Sequence, residues 1–465
     1  MGSEWKTVNL SSCASFQEGY VNPTQKKPEY FDGDIKWLRA TDLNGSFVYS
    51  TSRTLSEAGY KSAGKSAYLF EPDTLAISKS GTIGRLGILK DYMCGNRAVI
   101  NIKPDKAKVD PLFIFYVLSS RRHEIENLAI GSVQPNLYTS ALGTIQFKKP
   151  KLEEQKNISY ILASIDNKIQ LNRETNKTLE QMAQALFKSW FVDFDPVIDN
   201  ALAAGKPIPE ELQARAQRRQ QQLAKPDHQP LPDDVRQLFP SEFEETEALG
   251  WVPKGWRVSN IKSFGRVVTG KTPPKSVEGA YDEVGFPFIT PTDIDDSIFV
   301  AKVNRYLSDK GASVINKNKI PKGSVCVSCI GSQMGKTVIS PTAAYTNQQI
   351  NSVVVTDDFS RNYLFYNLRG RREELFSLGA SGSTMPILNK SSFEKLLVLK
   401  PSDRILRKYQ EFTGEQMESV YQRFIQIESL ENLRNTLLPK LISGELRLPE
   451  SLLDSETNPP ETAYE

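Results

Sequence analysis

The sequence predicts an α/β protein made of two mixed α/β globules, each followed by a long helix, with the two helices forming an antiparallel coiled coil with pseudo-twofold symmetry. Three observations predict this fold. The two halves of the chain repeat each other at an offset of about 251 residues. The first part of each repeat alternates short β-branched runs with helical stretches. The second part carries an apolar stripe with heptad spacing.

The repeat is visible in pairs of similar segments. Residues 37–43 (WLRATDL) align with 288–294 (FITPTDI), and residues 78–85 (SKSGTIGR) lie near the equivalent of 328–336 (SCIGSQMGK). The offset holds within one residue over about 190 positions. The pattern therefore indicates the duplication of one large unit rather than a solenoid of short repeats.

The predicted domain boundaries follow from changes in pattern along the chain. Between the two repeats the sequence is rich in proline and contains one short polar helix, which is typical of a linker. The predicted segments are a first globule (1–152), a first long helix (153–194), the linker (195–252), a second globule (253–402), a second long helix (403–444) and a C-terminal tail (445–465).

A stripe of residues spaced alternately four and three apart predicts the first long helix. Its members are Ile158, Leu162, Ile165, Ile169, Asn172, Asn176, Leu179, Ala183, Leu186 and Trp190. About 40 residues make a rod of roughly 60 Å. The stripe of the second helix, from Met417 to Leu441, is less regular. Asn172 and Asn176 either lie in the seam and fix its register, or lie on a solvated flank.

Composition and charge limit the possible classes of protein. Lys and Arg (58) nearly balance Asp and Glu (55), giving a net charge of +3, so any surface for a polyanion must be local. Four cysteines are too few for a disulfide framework. Without an apolar N-terminal core or a run of 18 apolar residues, the chain is expected to lack a signal peptide and a membrane span, and to be cytoplasmic.

Two motifs suggest chemistry, and neither fulfils its requirements. Residues 331–337 (GSQMGKT) resemble a phosphate-binding P-loop but are one residue short and precede a strand-like segment. Cys326 and Cys329 have no second cysteine pair or histidine cluster to complete four zinc ligands. The sequence therefore predicts no catalytic residue and no metal site.

Three local sequences resemble those of the DNA specificity (S) subunits of type I restriction-modification systems. Residues 165–194 (IDNKIQLNRETNKTLEQMAQALFKSWFVDF) are similar to the first conserved helix of that family. Residues 437–446 (LLPKLISGEL) are similar to the end of its second conserved helix, and residues 253–256 (PKGW) to the start of a target-recognition domain. The resemblance covers nearly the whole chain.

The resemblance implies a non-catalytic subunit that reads double-stranded DNA and has no membrane role. In this family two modification subunits, which use S-adenosylmethionine to methylate adenine at N6, and two ATP-driven restriction subunits assemble on the specificity subunit. S-adenosylmethionine, ATP and Mg are therefore expected on partner subunits, with no cofactor on this chain. Each recognition domain is expected to read half of a bipartite, asymmetric site, and readers about one helical turn (roughly 34 Å) apart meet the same face of DNA.

Polar turns flanked by glycine, at equivalent positions in the two globules, are the predicted DNA contacts. In domain 1 they are Arg39, Thr41, Lys79, Ser80, Thr82, Arg85, Asn96, Arg97, Gln134 and Asn136; in domain 2 they are Thr290, Thr292, Ser332, Gln333, Lys336, Asn347, Gln348, Gln349, Ser383 and Thr384. The alternatives are that Thr41-Asp42 and Thr292-Asp293 cap turns, and that Asn96 and Asn347 hold loops.

Surplus apolar residues near the ends of the long helices predict a partner-binding surface. They are Leu186, Phe187, Trp190, Phe191, Leu437, Leu438 and Leu441. The alternative is that they pack against the chain's own recognition domain or linker. Two other functions stay open at this point: an NTPase built on residues 331–337, and a duplicated scaffold with no role on DNA.

Overall fold

The computed structural model describes residues 5–131, 135–300, 302–380 and 386–449. The chain divides into two compact units. The first comprises Met1–Leu171 and Ile427–Glu465, and the second Asn172–Gln426. The boundary passes through both long helices, Leu152–Phe191 and Asp403–Ser443, so each unit contains half of each helix.

The first unit contains the elements of the first repeat. Its strands are β1 (Lys6–Asn9), β2 (Ala14–Glu18), β3 (Phe31–Leu38), β4 (Phe47–Val48), β5 (Thr54–Leu55), β6 (Leu69–Phe70), β7 (Leu75–Ser78), β8 (Leu86–Leu89), β9 (Met93–Gly95), β10 (Val99–Pro104) and β11 (Gln146–Lys149). Its helices are α1 (Glu57–Lys61), α2 (Pro111–Ser120), α3 (Arg122–Asn127), α4 (Thr139–Gly143) and the first half of α5 (Leu152–Phe191).

The second unit begins with the rest of α5 and continues through the linker and the second repeat. Its further helices are α6 (Asp195–Ala203), α7 (Gln213–Leu223), α8 (Asp233–Arg236), α9 (Asp309–Val314), α10 (Arg361–Arg369), α11 (Arg372–Ala380), α12 (Lys390–Glu394) and the first half of α13 (Asp403–Ser443). Its strands are β12 (Phe243–Thr246), β13 (Gly250–Pro253), β14 (Arg257–Asn260), β15 (Gly265–Thr269), β16 (Tyr281–Asp282), β17 (Phe286–Ile289), β18 (Tyr306–Leu307), β19 (Val325–Ser328), β20 (Thr337–Ile339), β21 (Tyr345–Thr346), β22 (Ile350–Val355) and β23 (Leu397–Lys400).

The two repeats build equivalent sheets, and the main sheet of the first has one strand more. The main sheet has the order β2-β10-β7-β8-β4 in the first unit and β15-β22-β19-β20 in the second. A smaller sheet has the order β5-β3-β9-β6 in the first unit and β16-β18-β17-β21 in the second. In both small sheets one pair is parallel, β3 with β9 and β17 with β21. The predicted mixed α/β globules and their duplication are confirmed.

The core of the first globule forms between the main sheet and α2. Seven consecutive residues of α2 are buried, because the helix is apolar on every face. Asp110 begins this helix: its carboxylate accepts the backbone N–H of Phe113 at 2.9 Å, and Pro111 occupies the first turn, where a missing N–H costs nothing. The hydroxyl of Ser159, on α5, donates to the same carboxylate at 2.5 Å.

The halves of α5 and α13 pack as antiparallel pairs within each unit. In the first unit, Arg434 of α13 donates to Asp166 of α5 at 2.9 Å, and Leu441 joins the core that contains Ile158. In the second unit, the hydroxyl of Tyr409 donates to the carbonyl of Ala183 at 3.2 Å. Partners late in one helix lie against residues early in the other, as predicted.

The two asparagines of the α5 stripe lie in the helix seam. Asn172 is 2% exposed and Asn176 is 9% exposed. The side-chain N–H of Asn172 donates to Gln426 at 2.8 Å, and that of Asn176 donates to the carbonyl of Val420 at 3.3 Å. The alternative of a solvated flank is therefore wrong, and the seam contains a polar step between Ile169 and Leu179.

The linker folds against the second unit. Val197 of α6, Val235 of α8 and Phe239 are buried in the same core as Trp190 and Trp256. The guanidinium of Arg219 forms two 2.7 Å hydrogen bonds to Asp199, which ties α7 to α6. The Pro-rich segment is thus an ordered connection that contributes residues to the core of the second unit.

Candidate functional site

The ends of three strands meet at one edge of the first globule. The backbone N–H of Asn96 donates to the carbonyl of Leu38 at 2.9 Å, that of Lys79 to Ala98 at 2.8 Å, and that of Leu137 to Lys79 at 2.9 Å. These bonds bring the segments bearing Arg39, Lys79, Asn96, Arg97 and Asn136 side by side. We call this group of segments the first loop surface.

The cationic side chains of the first loop surface differ in how far they are neutralised. The Arg39 guanidinium lies 5.6 Å from the centre of the Trp37 ring and donates to the hydroxyl of Ser52 at 2.5 Å. Lys79 forms a 2.7 Å ion pair with Glu18. The Arg97 side chain is exposed. Arg39 also lies 3.9 Å from the Asp42 carboxylate, so Arg97 is the cation of this surface that is most available to a ligand.

The second globule forms an equivalent edge, the second loop surface. The backbone N–H of Asn347 donates to Ile289 at 3.0 Å, that of Cys329 to Gln349 at 2.8 Å, and that of Leu388 to Cys329 at 2.9 Å. The turn bearing Ser332 and Gln333 and the loop bearing Gln348 and Gln349 are therefore equivalent to the segments that follow Lys79 and Asn96 in the first globule. The hydroxyl of Thr272 donates to Gln348 at 2.7 Å.

The aspartates beside the predicted threonines close turns in both globules. Asp42 accepts the N–H groups of Arg39 (2.8 Å) and Ser52 (3.0 Å), and Asp293 accepts those of Thr290 (2.8 Å) and Asn304 (3.0 Å). The alternative that these pairs cap turns is confirmed, while Thr41 and Thr292 stay exposed.

Thr290 differs from the sequence prediction. It is 7% exposed, and its hydroxyl donates to Asp293 at 2.6 Å, because the residue closes the 3₁₀ turn Pro291–Asp293. Its hydroxyl is therefore committed inside the fold, and the structure gives no access to it from outside.

Asn96 and Asn347 close their own loops, which confirms the loop-holding alternative for both. The side-chain oxygen of Asn96 accepts the N–H of Ala98 at 3.0 Å, and that of Asn347 accepts the N–H of Gln349 at 3.1 Å. Each loop lies against a glycine that the sequence analysis missed. A Cβ on Gly19 would lie 2.2 Å from the Asn96 carbonyl oxygen, and one on Gly270 would lie 2.1 Å from that of Asn347. The sequence does mark these glycines as equivalent, since Gly19 and Gly270 are separated by the offset of the repeat.

Thr41 lies in the turn that follows Arg39, and the Arg85 carbonyl accepts the N–H of Ser78, the neighbour of Lys79, at 2.9 Å. Thr41 and Arg85 line a cleft of about 570 Å³ in the first unit, together with Tyr116, Asp166 and Arg434. The hydroxyl of Tyr116 donates to Asp166 at 2.8 Å, and burial raises its pKa well above the usual value. Arg434 donates to the same carboxylate, so the cleft joins the globule to the helix pair.

The remaining predicted contacts lie on or near the β-hairpin turns. Ser80 and Thr82 occupy the turn between β7 and β8, where the hydroxyl of buried Ser78 donates to the Thr82 carbonyl at 2.5 Å. The ammonium of Lys336 donates to the Ile294 carbonyl at 3.2 Å. Gln134, Ser383 and Thr384 lie outside the described residues.

Residues 331–337 do not build a nucleotide site. Gly331–Gln333 forms a 3₁₀ turn, and strand β20 follows directly where a P-loop requires a helix.

Cys326 and Cys329 are buried, and burial raises their thiol pKa to about 12 and about 11. Within the ranges that the structure describes, no group of His, Cys, Asp and Glu is arranged to hold a metal ion. Nor does any helix in those ranges have the length and apolar character to cross a membrane.

Packing inside the chain accounts for most of the predicted partner-binding residues. Phe187, Trp190 and Phe191 are at most 7% exposed and lie in the core of the second unit, and Leu441 is 1% exposed in the core of the first. The linker and the second globule supply the aromatic rings that cover the first three. Because these rings come from residues distant in sequence, the local apolar pattern does not reveal the packing.

Leu186, Leu437 and Leu438 are half-buried against the same cores. The long helices do expose other apolar side chains, among them Met182 (53%) and Leu433 (46%).

Comparison with known proteins assigns the fold to a family. A family model described as the type I restriction modification DNA specificity domain matches residues 2–181 and 253–436. The HindI specificity subunit of Haemophilus influenzae is 33% identical over 386 residues, covering 77% of this chain and 82% of that protein. The MjaIX specificity subunit of Methanocaldococcus jannaschii is 23% identical over 456 residues, covering 96% and 94%.

A solved structure has the same fold. The crystal structure of a type I restriction-modification S subunit from M. genitalium superposes with a TM-score of 0.60 at 14% identity, covering 94% of this chain and 96% of that chain. The family model matches both repeats, and together the two matches span more than half of the sequence. The chain therefore belongs to the family of DNA specificity (S) subunits of type I restriction-modification systems.

Proposed function

We propose that the chain is a non-catalytic reader of a bipartite, asymmetric site in double-stranded DNA, with one half-site for each globule. The observation that carries this proposal is a shared scaffold with different side chains. Arg97 and Gln348 are both exposed and occupy equivalent positions, in loops held by the same backbone bonds, from Asn96 to Leu38 and from Asn347 to Ile289. Because base edges differ in their donors, acceptors and methyl groups, different side chains on one scaffold select different sequences.

The proposal includes the partner subunits of a restriction enzyme. Two modification subunits would bind S-adenosylmethionine and methylate adenine, and two restriction subunits would bind ATP and Mg. The names of the relatives support this assignment, since each is the specificity subunit of a type I restriction enzyme. The exposed apolar residues of the long helices, with half-buried Leu186, Leu437 and Leu438, are the surface that we propose for the modification subunits.

The long helices would set the spacing of the half-sites. Helix α5 has 40 residues and α13 has 41. We propose that this continuous helical structure fixes the number of unread base pairs between the two half-sites, as a rigid spacer does for paired readers.

Exchange of one globule tests the half-site assignment. Residues 253–402 are replaced by the equivalent domain of another family member, and the hybrid is produced with its modification subunit. We expect the methylated sequence to change in one half only, with the other half and the spacer length kept. A change in both halves would contradict one domain for one half-site.

A further inference from the structure

A short segment repeats nearly intact in the two globules although neither copy contains a predicted contact. Residues 53–59 (RTLSEAG) match residues 305–311 (RYLSDKG) without a gap. Both copies have the same local structure. The serine begins a short helix by accepting the N–H of the following glycine, Gly59 or Gly311, and the leucine is fully buried.

The arginine at the start of this segment has the same place in both sheets. The Arg53 carbonyl accepts the N–H of Trp37 at 3.3 Å, and the Arg305 carbonyl accepts that of Phe288 at 3.1 Å. The residue that follows Arg53 pairs with β3, and the residue that follows Arg305 pairs with β17. The two arginines are therefore structural equivalents.

Each guanidinium lies over an aromatic ring. Arg53 is 4.1 Å from the centre of the Phe31 ring, and Arg305 is 5.4 Å from that of Tyr281. The rings are equivalent too, because Phe31 pairs with Leu55 as Tyr281 pairs with Leu307. Stacking fixes the plane of a guanidinium while leaving its N–H edge free to bind a second group.

Neither charge is neutralised by a carboxylate in the described part of the chain. Arg53 donates to the neutral side-chain oxygen of Gln25 at 2.9 Å, and Arg305 is exposed with no hydrogen-bond acceptor among the described residues. Other arginines of the second unit, Arg219 and Arg371, are each paired with an acid. Arg53 and Arg305 thus share stacking on a ring, the lack of an acidic partner among the described residues, and the same place in their globules.

Both arginines are tied to the loop surfaces. The residue before Arg53 is Ser52, which bonds to Asp42, and the residue before Arg305 is Asn304, which bonds to Asp293. These are the carboxylates that close the turns of the first and second loop surfaces. Each globule therefore presents the same cation directly after a residue that is bonded to the carboxylate of its loop surface.

We infer that Arg53 and Arg305 are equivalent phosphate contacts that position each globule on the DNA backbone. The inference rests on the proposed function and assigns a role within it. Residues that read bases have to differ between globules that read different half-sites, whereas phosphates are the same in every sequence. A cation kept by both copies, beside loops that differ, has the character of a backbone contact.

The test measures DNA binding by the complex of this chain with its modification subunits. Arg53→Ala, Arg305→Ala and the double variant are compared with the unchanged chain, on target and unrelated duplexes, across a series of salt concentrations. Each single variant should weaken binding to both duplexes by a similar factor and lower the slope of log K against log salt by about 0.9. The methylated sequence should not change.

Two further variants serve as controls. Arg266→Ala removes an exposed arginine of the second globule on β15, at a position paired with Val354 and four residues before Gly270, and it should leave affinity and slope unchanged. Arg53→Lys with Arg305→Lys keeps the charges, so the slope should be retained while affinity falls because the fixed fork is lost. Thermal unfolding of every variant separates a loss of contact from a loss of fold.

Three results would overturn the inference. If the arginine-to-alanine variants keep the affinity and slope of the unchanged chain, as Arg266→Ala should, the arginines only cover the aromatic rings. If the methylated sequence changes, they read bases. If the unchanged complex neither binds DNA nor methylates it, the proposed function fails and the inference fails with it. The first two results differ from this one because the unchanged complex stays active in both.

Discussion

The side-chain amide of Asn172 donates a 2.8 Å hydrogen bond to the side-chain oxygen of Gln426, across the antiparallel helix pair. One turn further along α5, Asn176 donates to a backbone carbonyl while its own side-chain oxygen is buried without a partner among the described residues. A buried polar pair in an apolar seam lowers stability and favours one register over others.

Replacing Asn176 by Leu should therefore stabilise the chain. The variant removes a buried oxygen without a hydrogen bond and adds apolar surface beside Val420, so we expect the free energy of unfolding to rise by about 1 kcal/mol. Chemical denaturation of the two proteins measures the difference. Asn176→Asp is the comparison, because it keeps the size and adds a charge, and it should be less stable than the native chain. A less stable Leu variant would contradict this account of the seam.

Trp190 and Met182 lie on the same helix and should separate folding from partner binding. Trp190 is 1% exposed between Phe239 and Tyr409, so Trp190→Ala should lower the stability of the second unit by about 3 to 5 kcal/mol.

Met182→Asp, at an exposed position, should leave the melting temperature unchanged and reduce copurification with the modification subunit. Gln184→Asp is the exposed polar control. Normal copurification of Met182→Asp would remove that side chain from the proposed partner surface.

The sequence predicts the helix pair, but it does not predict that the aromatic residues at the end of α5 are buried in the core of the second unit. The four-and-three spacing from Ile158 to Trp190 predicted both the helix and its buried face, because a coiled-coil seam repeats along the chain. The rings that cover Phe191 come from Trp256 and Tyr363, which are distant in sequence. No local pattern indicates such contacts, so the apolar excess in the sequence predicts an outer surface where the structure has a core.

In the candidate site, too, the sequence predicts some features and not others. The repeat placed Asn96 and Asn347 in equivalent loops, and the structure confirms that equivalence. Arg53 and Arg305 were missed because their offset is one residue longer than that of the surrounding repeat, and because stacking on a ring leaves no signature in spacing. Thr290 was predicted as a contact because its commitment to Asp293 depends on the turn geometry.

The stability of the chain should depend on pH through Asp110. Burial raises the pKa of this carboxyl above its ordinary value of 3.8, although the Ser159 and Phe113 bonds oppose the shift. A raised folded pKa means that the folded state binds the proton more tightly, so Asp110 favours folding increasingly as pH falls toward 3.8. Asp110→Asn keeps a side chain that can cap the helix and removes the ionisable carboxyl group. As the pH falls toward 3.8 the native chain should gain stability relative to the variant, as measured by thermal unfolding; parallel curves would contradict the assignment.

Gly19 and Gly270 provide a reciprocal test of the two loop surfaces. Alanine at either glycine would press its Cβ against the carbonyl oxygen of Asn96 or Asn347, and the loop would have to move. Gly19→Ala should weaken discrimination against base changes in one half-site, and Gly270→Ala in the other, each by about tenfold or more. Binding to duplexes substituted in one half at a time measures this, and each variant is the control for the other. An equal loss in both halves would indicate general unfolding.

The most direct test of the central claim is methylome sequencing of a host that carries this chain with its neighbouring modification subunit, compared with the same host lacking this chain. The proposed function predicts a new methylated motif made of two different half-sites, with adenine methylated in each and a fixed number of unread bases between them. A complex that assembles and yields no new motif, or an undivided one, would contradict it.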